Sequence, residues 1–219
     1  MAALIDTFRK WLGPAAARDD DRWVVLDVES SGLDPHRDRL LAIAAIGVRA
    51  GPQRALIELG DSFEVVLRQA QEASATDKAN ILLHGIGIGA QRAGMVRRAA
   101  LQAFADFVGD SPLIAFHAAF DRTLIDRAFR REFGWVLRNR WLDLEPLAAV
   151  LEPRASARSL DEWMAQFGIQ CAVRHQAAAD TLATAELLLK LWPALRAELP
   201  RPGFRAVASL AAQRRWVQG

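Results

Sequence analysis

Asp27 and Glu29 stand at the end of an apolar run, Trp23-Val24-Val25-Leu26, where acids are out of place. In an extended strand, residues two apart share a face, so the two carboxylates project together while Val28 points the other way. Neighbouring anions in a partly buried position repel each other and lose hydration, so they persist only if a cation binds or one takes up a proton. A divalent metal is the simplest answer. The next residues, Ser30, Ser31, Gly32, Leu33, Asp34 and Pro35, are turn chemistry, which puts the acids at the C-terminal edge of a strand, where open α/β sheets set their sites. Metal binding calls for further acids at the ends of other elements, and the chain supplies two. Asp121 follows the apolar stretch 113–120 where a helix should begin, and Asp180 sits in the first turns of a long helix among Ala177, Ala178 and Ala179, with His175 just ahead.

The segments Asp27-Val28-Glu29, Ala118-Ala119-Phe120-Asp121 and His175 to Asp180 resemble, in order and spacing, the three exonuclease motifs of the DnaQ-like, or DEDDh, 3'-to-5' exonucleases. Trp141-Leu142-Asp143-Leu144 is similar to the strand-Asp-helix passage that this family carries between its second and third motifs, and the resemblance runs over about residues 22–192. It implies catalytic roles for Asp27, Glu29, Asp121, His175 and Asp180. Asp27, Glu29 and Asp180 would hold one divalent cation, with Asp27 bridging to a second ion that Asp121 helps to hold. All-oxygen ligands suit Mg²⁺ or Mn²⁺. Two such ions roughly 4 Å apart can activate a water and stabilise the leaving oxygen during in-line displacement at phosphorus. His175 would take the water's proton, a task for a side chain that titrates near neutrality. Ser30, Ser31, Gly32, Leu33, His117 and Phe120 would contact the terminal nucleotide, and the products would be nucleoside 5'-monophosphates. The family usually has asparagine at the position of His117 and threonine at that of Ser30. His117 therefore either alters substrate positioning or packs beside Phe116.

The elements that must position these residues follow from periodicity. Strands are expected at 23–28, 40–48, 54–59 and 63–67, with turns at Ser31-Gly32, Gly51-Pro52 and Gly60-Asp61. Such short connections favour an antiparallel meander. Past residue 70 the pattern changes: a helix is expected over about 95–108, a buried strand at 113–116, a helix at 123–133, a strand remnant at 141–142, and helices at 143–151, 159–167 and 177–197. A meander followed by β/α alternation predicts an α/β fold with a mixed sheet covered by helices on both faces, and the resemblance implies that this is a ribonuclease H-like five-stranded sheet. The expected organisation is an N-terminal helix and linker over 1–20, one catalytic domain over 21–197, and a tail over 198–219.

Length and composition are compatible with this reading. A chain of 219 residues, 52% hydrophobic and 25% charged, can build one ordinary domain. The single cysteine, Cys171, excludes an internal disulfide, and no apolar run is long enough to span a bilayer, so a cytoplasmic location with no membrane partner is expected. Net charge is only +2, yet all but Lys10, Lys78 and Lys190 of the 28 basic residues are arginines, a type suited to phosphate contacts. The expected ligand is a single-stranded or frayed nucleic-acid 3' end, DNA ahead of RNA, with association with a DNA polymerase as one context. The sequence Gly85-Ile86-Gly87-Ile88-Gly89-Ala90 formally matches a dinucleotide-binding pattern, but no acid closes the next strand to meet a ribose. His84-Gly85-Ile86 is similar instead to a loop before the second motif of DnaQ-like enzymes, and so to a flexible site rim. The rival classes are a 3'-to-5' exoribonuclease, a catalytically weak binding module on the same fold, and a ribonuclease H-like endonuclease. A lost ligand would mark the module, and none is missing; the histidine five residues before the last acid favours the exonuclease.

Overall fold

The protein was analysed as a computed structural model that describes residues 21–69, 85–171 and 173–213; the expected helix over 3–12, the apolar Ile81 to Leu83 with His84, and the end of the tail from Arg214 lie outside them. Five strands form one mixed sheet: β1 (Arg22–Ser30), β2 (Leu40–Ala50), β3 (Ala55–Val66), β4 (Leu113–Ala115) and β5 (Trp141–Asp143), in the order β3-β2-β1-β4-β5. The first three pair antiparallel, while β4 joins β1, and β5 joins β4, in parallel. The expected meander and the parallel half are both present.

Strand alternation sorts the core. Trp23 and Val25 face one side, with Val48, Leu144, Trp163, Leu188 and Leu191, under the helices α4 (Leu144–Leu151), α5 (Leu160–Phe167) and α6 (Ala177–Glu198). Val24, Leu26 and Val28 face the other, against Leu101 and Phe104 of α2 (Arg97–Val108) and Leu124 and Phe129 of α3 (Ala119–Phe133). A short helix α1 (Ile88–Ala93) precedes α2. The parity of β1 thus sends Asp27 and Glu29 toward α6, because they share a face with Trp23 and Val25.

Three expectations needed correction. Gly60-Asp61 is not a hairpin turn, since β3 runs on from Ala55 to Val66 and bulges, with Ile46 opposite Ser62 and Gly47 opposite Glu58. The bulge folds Asp61 back to accept from Arg22 at 2.7 and 2.8 Å, and it passes so close to Gly47 that a Cβ there would lie 1.9 Å from the carboxylate. Helix α2 begins at Arg97, not near Met95, because Met95 is drawn out beside β3 by bonds from its N–H to Val66 and from Arg68 N–H to its carbonyl, both 2.8 Å. Part of the expected tail is α7 (Phe204–Ala212), whose Phe204 and Val207 are buried in the core, with Phe204 edge-on to Trp23 at 5.4 Å.

Candidate active site

β1 ends at the site with a change of register between Glu29 and Ser30, a bulge that turns the chain away from β2. The neighbours of the two acids across the ladder are Ala44 for Asp27 and Ala42 for Glu29. Their small side chains let α6 approach the sheet, and Thr181 Oγ1 donates to the Ala44 carbonyl at 3.2 Å, pinning the helix there. One residue before it, Asp180 is 6% exposed and turned toward the acids of β1. Asp121 arrives from the first turn of α3, 3% exposed, and its carboxylate accepts from the N–H groups of Val28 and of Asp121 itself. The four acids of three distant segments are therefore one electrostatic cluster.

Burial and mutual repulsion set their protonation. Asp27 is pushed up to about 8, first by burial, then by Asp180, with Arg174 opposing. Glu29 is pushed up to about 9 by burial, Asp27 and Asp180, again against Arg174. Asp121 is raised well above the usual carboxylate range by burial and then by Asp27. Such a set of oxygen donors, short of positive charge, fits a hard divalent cation. As the side chains stand, no three acid, imidazole or thiol groups among the described residues converge tightly enough to grip an ion. One reason is visible: Arg174 donates to Asp180 Oδ1 and to Asp161, so a ligand that faces the cluster is held by a guanidinium instead. Burial works against the Arg174 charge, but its hydrogen bonds to Asp161 and Asp180 outweigh that and raise its pKa.

His175 lies in the turn before α6, exposed, with φ of 61°, and its N–H donates to Asp180 Oδ2 at 3.1 Å. The backbone bond orients the turn and leaves the imidazole on the solvent side. His117 has the same left-handed backbone, φ 60°, its N–H donating to Asp143 Oδ1 at 3.0 Å and its ring edge-on to Phe116 at 4.6 Å. The 30–33 turn is tied internally. Ser30 Oγ donates to the Gly32 carbonyl, and Ser31 Oγ donates to Asp38 at 3.0 Å while accepting from Arg39 N–H at 2.9 Å. A Cβ on Gly32 would fall 2.5 Å from the Asp38 carboxylate, so any other residue there would displace that carboxylate from its bonds to Ser31 and the Asp34 N–H. Leu33 stands out at 89% exposed, whereas Phe120, in the first turn of α3, is partly buried against the core.

Two positioning groups have contacts that the sequence did not announce, although the 141–144 passage had marked one of them, Asp143, by resemblance. Asp143 N-caps α4 through Glu145 N–H at 3.2 Å, holds the backbone of His117 and lies near enough to raise Asp121; only its place at the end of β5 hinted at this. Arg174, next to His175 in the chain, gave no signal at all. Cys171 Sγ lies 3.7 Å from Asp180 Oδ1, with burial and that neighbour raising its thiol pKa. Gly85, φ 70°, comes near Gln176 at the start of α6, so the 85–87 loop borders the site.

Residues 24–188 match the family model for the RNase_T exonucleases. A segment of the PolC-type DNA polymerase III of Clostridium perfringens is 30% identical over 174 residues, covering 77% of this chain and 11% of that protein. The corresponding protein of Bacillus subtilis is 29% identical over 174 residues, covering 79% and 12%. The chain thus spans only about a tenth of the length of these relatives. Among solved structures, exonuclease I superposes with a TM-score of 0.67 at 20% identity, over 88% of this chain and 44% of that one. Escherichia coli exonuclease I in complex with a dT13 oligonucleotide gives 0.66 at 21% identity, over 82% and 42%. Those structures share the sheet and its helices, and a family match that runs through all three acidic segments makes this chain a member of the RNase_T exonucleases, a DnaQ-like domain on the ribonuclease H-like fold.

Proposed function

We propose that the chain is a 3'-to-5' exonuclease that removes nucleoside 5'-monophosphates from single-stranded or frayed DNA ends, using two Mg²⁺ or Mn²⁺ ions. The observation that carries this reading is that half-buried Asp27 and Glu29 share one electrostatic cluster with buried Asp121 and Asp180, the first two being pushed up to about 8 and 9. These residues would hold the ions, which when bound supply charge for the phosphorus centre and the activated water. His175, exposed beside Asp180, accepts the water's proton at its imidazole. The 30–33 turn receives the terminal nucleotide, with Leu33 offering an apolar face and Ser31 keeping the loop in shape. His117 presents an exposed ring beside Phe116 for the same nucleotide. Support for a single strand of DNA comes from the dT13 complex of exonuclease I, and for a replication context from the PolC-type relatives. A chain with these partners acts in the cytoplasm, and no helix among the described residues is long and apolar enough to cross a membrane.

The test is metal-dependent hydrolysis of matched single strands of DNA and RNA labelled at either end. Expected are stepwise release of mononucleotides from the 3' end, loss of activity with chelator, and faster turnover of DNA. Internal fragments, or release of a 5'-terminal nucleotide first, would overturn the assignment, and faster turnover of RNA would make it an exoribonuclease. Association with a DNA polymerase is a second reading, favoured by the likeness to segments of PolC-type polymerases. Co-elution with the replicative polymerase supports it, and independent migration counts against it.

A further inference from the structure

A cleft of about 1020 Å³ opens between the 37–40 segment, the chain just after β3, the start of α2 and the outer face of α3. Its floor is apolar, formed by buried Leu40, Leu124 and Ala128. Its walls carry Arg37, Arg39 and Arg68, Arg97 at the start of α2, and Arg127, Arg130 and Arg131 along α3, against Asp38 and Glu132 as the acids among the described lining residues. Several of these guanidinium groups are fixed by neutral oxygens. Arg127 Nη1 donates to the carbonyls of Pro35 and Asp38, Arg68 Nε to that of Gly94 at 3.1 Å, and Arg97 Nη2 to Gln69 Oε1 at 3.1 Å. Such bonds preset geometry without neutralising charge. Arg97 Nε lies 3.9 Å from Glu132, and Asp38 is turned away to Ser31 and the Asp34 N–H. Burial lowers the Arg97 pKa and Arg131 and Arg39 lower it further, against the pull of Glu132, so the cations crowd one another.

The cleft lies on the α2–α3 side of the sheet, whereas Asp27 and Glu29 face α6, and it approaches the acidic cluster through the end of β1 and the first turn of α3. Leu40 is the ladder partner of Ser30, and Leu124 lies one turn beyond Asp121 on α3. From Leu124 to Arg131 the helix advances roughly 10 Å, leading away from the acids. We propose that this arginine-lined cleft is a second binding site, which holds the phosphates of the nucleic-acid strand on the 5' side of the nucleotide being removed. The inference rests on the exonuclease reading of the acidic cluster and extends it to the rest of the substrate. Fixed guanidinium groups over an apolar floor suit a phosphodiester chain whose bases rest on hydrocarbon.

Binding, separate from cleavage, is the test. With chelator present to prevent hydrolysis, fluorescently labelled single strands of about 15 and about 4 nucleotides, within the span one single-strand groove takes, are titrated at several salt concentrations, as DNA and as RNA of the same sequence. Arg37 and Arg131 are exposed, so Arg37→Ala combined with Arg131→Ala should leave the melting temperature unchanged. The double variant is expected to weaken the longer strand about fivefold or more at low salt, to shrink its advantage over the shorter one, and to lower the salt slope by roughly 0.7 for each phosphate no longer neutralised. Arg54→Ala, an exposed arginine outside the cleft, serves as the control. Unchanged affinity and slope in the double variant, or an equal loss in the control, would overturn the proposal. So would tighter binding of an acidic polypeptide than of either oligonucleotide, which would make the cleft a protein-docking site. Failure of the exonuclease reading shows differently, as absence of 3'-end hydrolysis by the unmodified chain with metal.

Discussion

At the scale of single residues, the acids of β1 are set by what surrounds them rather than by their own chemistry. Asp27→Asn and Asp180→Asn keep shape while removing a ligand, and each should lower metal-dependent cleavage by about 10³-fold or more, ~4 kcal/mol of transition-state stabilisation. Near-normal turnover by either would remove these residues from the site. His175→Ala should cost about 10²–10⁴ in kcat, the range for a general base, with metal affinity almost unchanged in calorimetry. Equal losses in both would make it a structural residue. Arg174 is the less obvious case. Because it donates to Asp180 and offsets the negative charge on Asp27 and Glu29, Arg174→Ala should let Mn²⁺ bind at lower concentration while lowering the melting temperature of the metal-free protein. His117 has a backbone reason for being histidine. At φ 60° the left-handed region disfavours most side chains, and asparagine and histidine are among those that tolerate it, so His117→Asn should fold with unchanged stability.

At the scale of elements, the sheet edge and α6 bring acids together at a cost in stability that pH exposes. In the unfolded chain these carboxylates ionise near their free values of about 4, whereas in the fold Asp27 and Glu29 keep their protons until about 8 and 9. The folded state therefore binds more protons across that interval, and stability falls as pH rises through it. The melting temperature of the metal-free protein should decline between about pH 6 and about pH 9, and added Mg²⁺ should flatten the decline. A flat profile without metal would mean the acids are not buried together. The helices that hold the rest are capped in ordinary ways. Ser159 and Glu162 form a reciprocal capping box at the start of α5, and Ser159→Ala should cost about 1 kcal/mol in denaturant unfolding.

At the scale of the whole molecule, α7 is part of the packed core. Phe204 is 5% exposed, packs edge-on to Trp23 and lies under the Arg140 guanidinium at 4.9 Å, so Phe204→Ala should cost about 3–5 kcal/mol. Its sequence looked like a tail because Pro200 and Pro202 break the preceding helix, and a short amphipathic segment shows no partner until the sheet is folded. The candidate catalytic acids were legible for the opposite reason. Acids in apolar runs violate local patterning, and alternation in β1 alone decides that Asp27 and Glu29 share a face. The alternation of strands and helices likewise set the mixed sheet, although the bulge at Asp61 hid inside what looked like a turn. Contacts between segments far apart in the chain were beyond local pattern: Asp143 beneath His117, Arg22 on Asp61, and an arginine cleft assembled from four segments; so was the pairing of Arg174 with Asp180 across the turn into α6, which no residue pattern announces. Sequence by itself determined which side chains are candidates for chemistry and which face of β1 its two acids share, because those follow from residue type and backbone period. Only the tertiary structure decided how far burial shifts the acids and which charges meet, because both depend on through-space distance and desolvation.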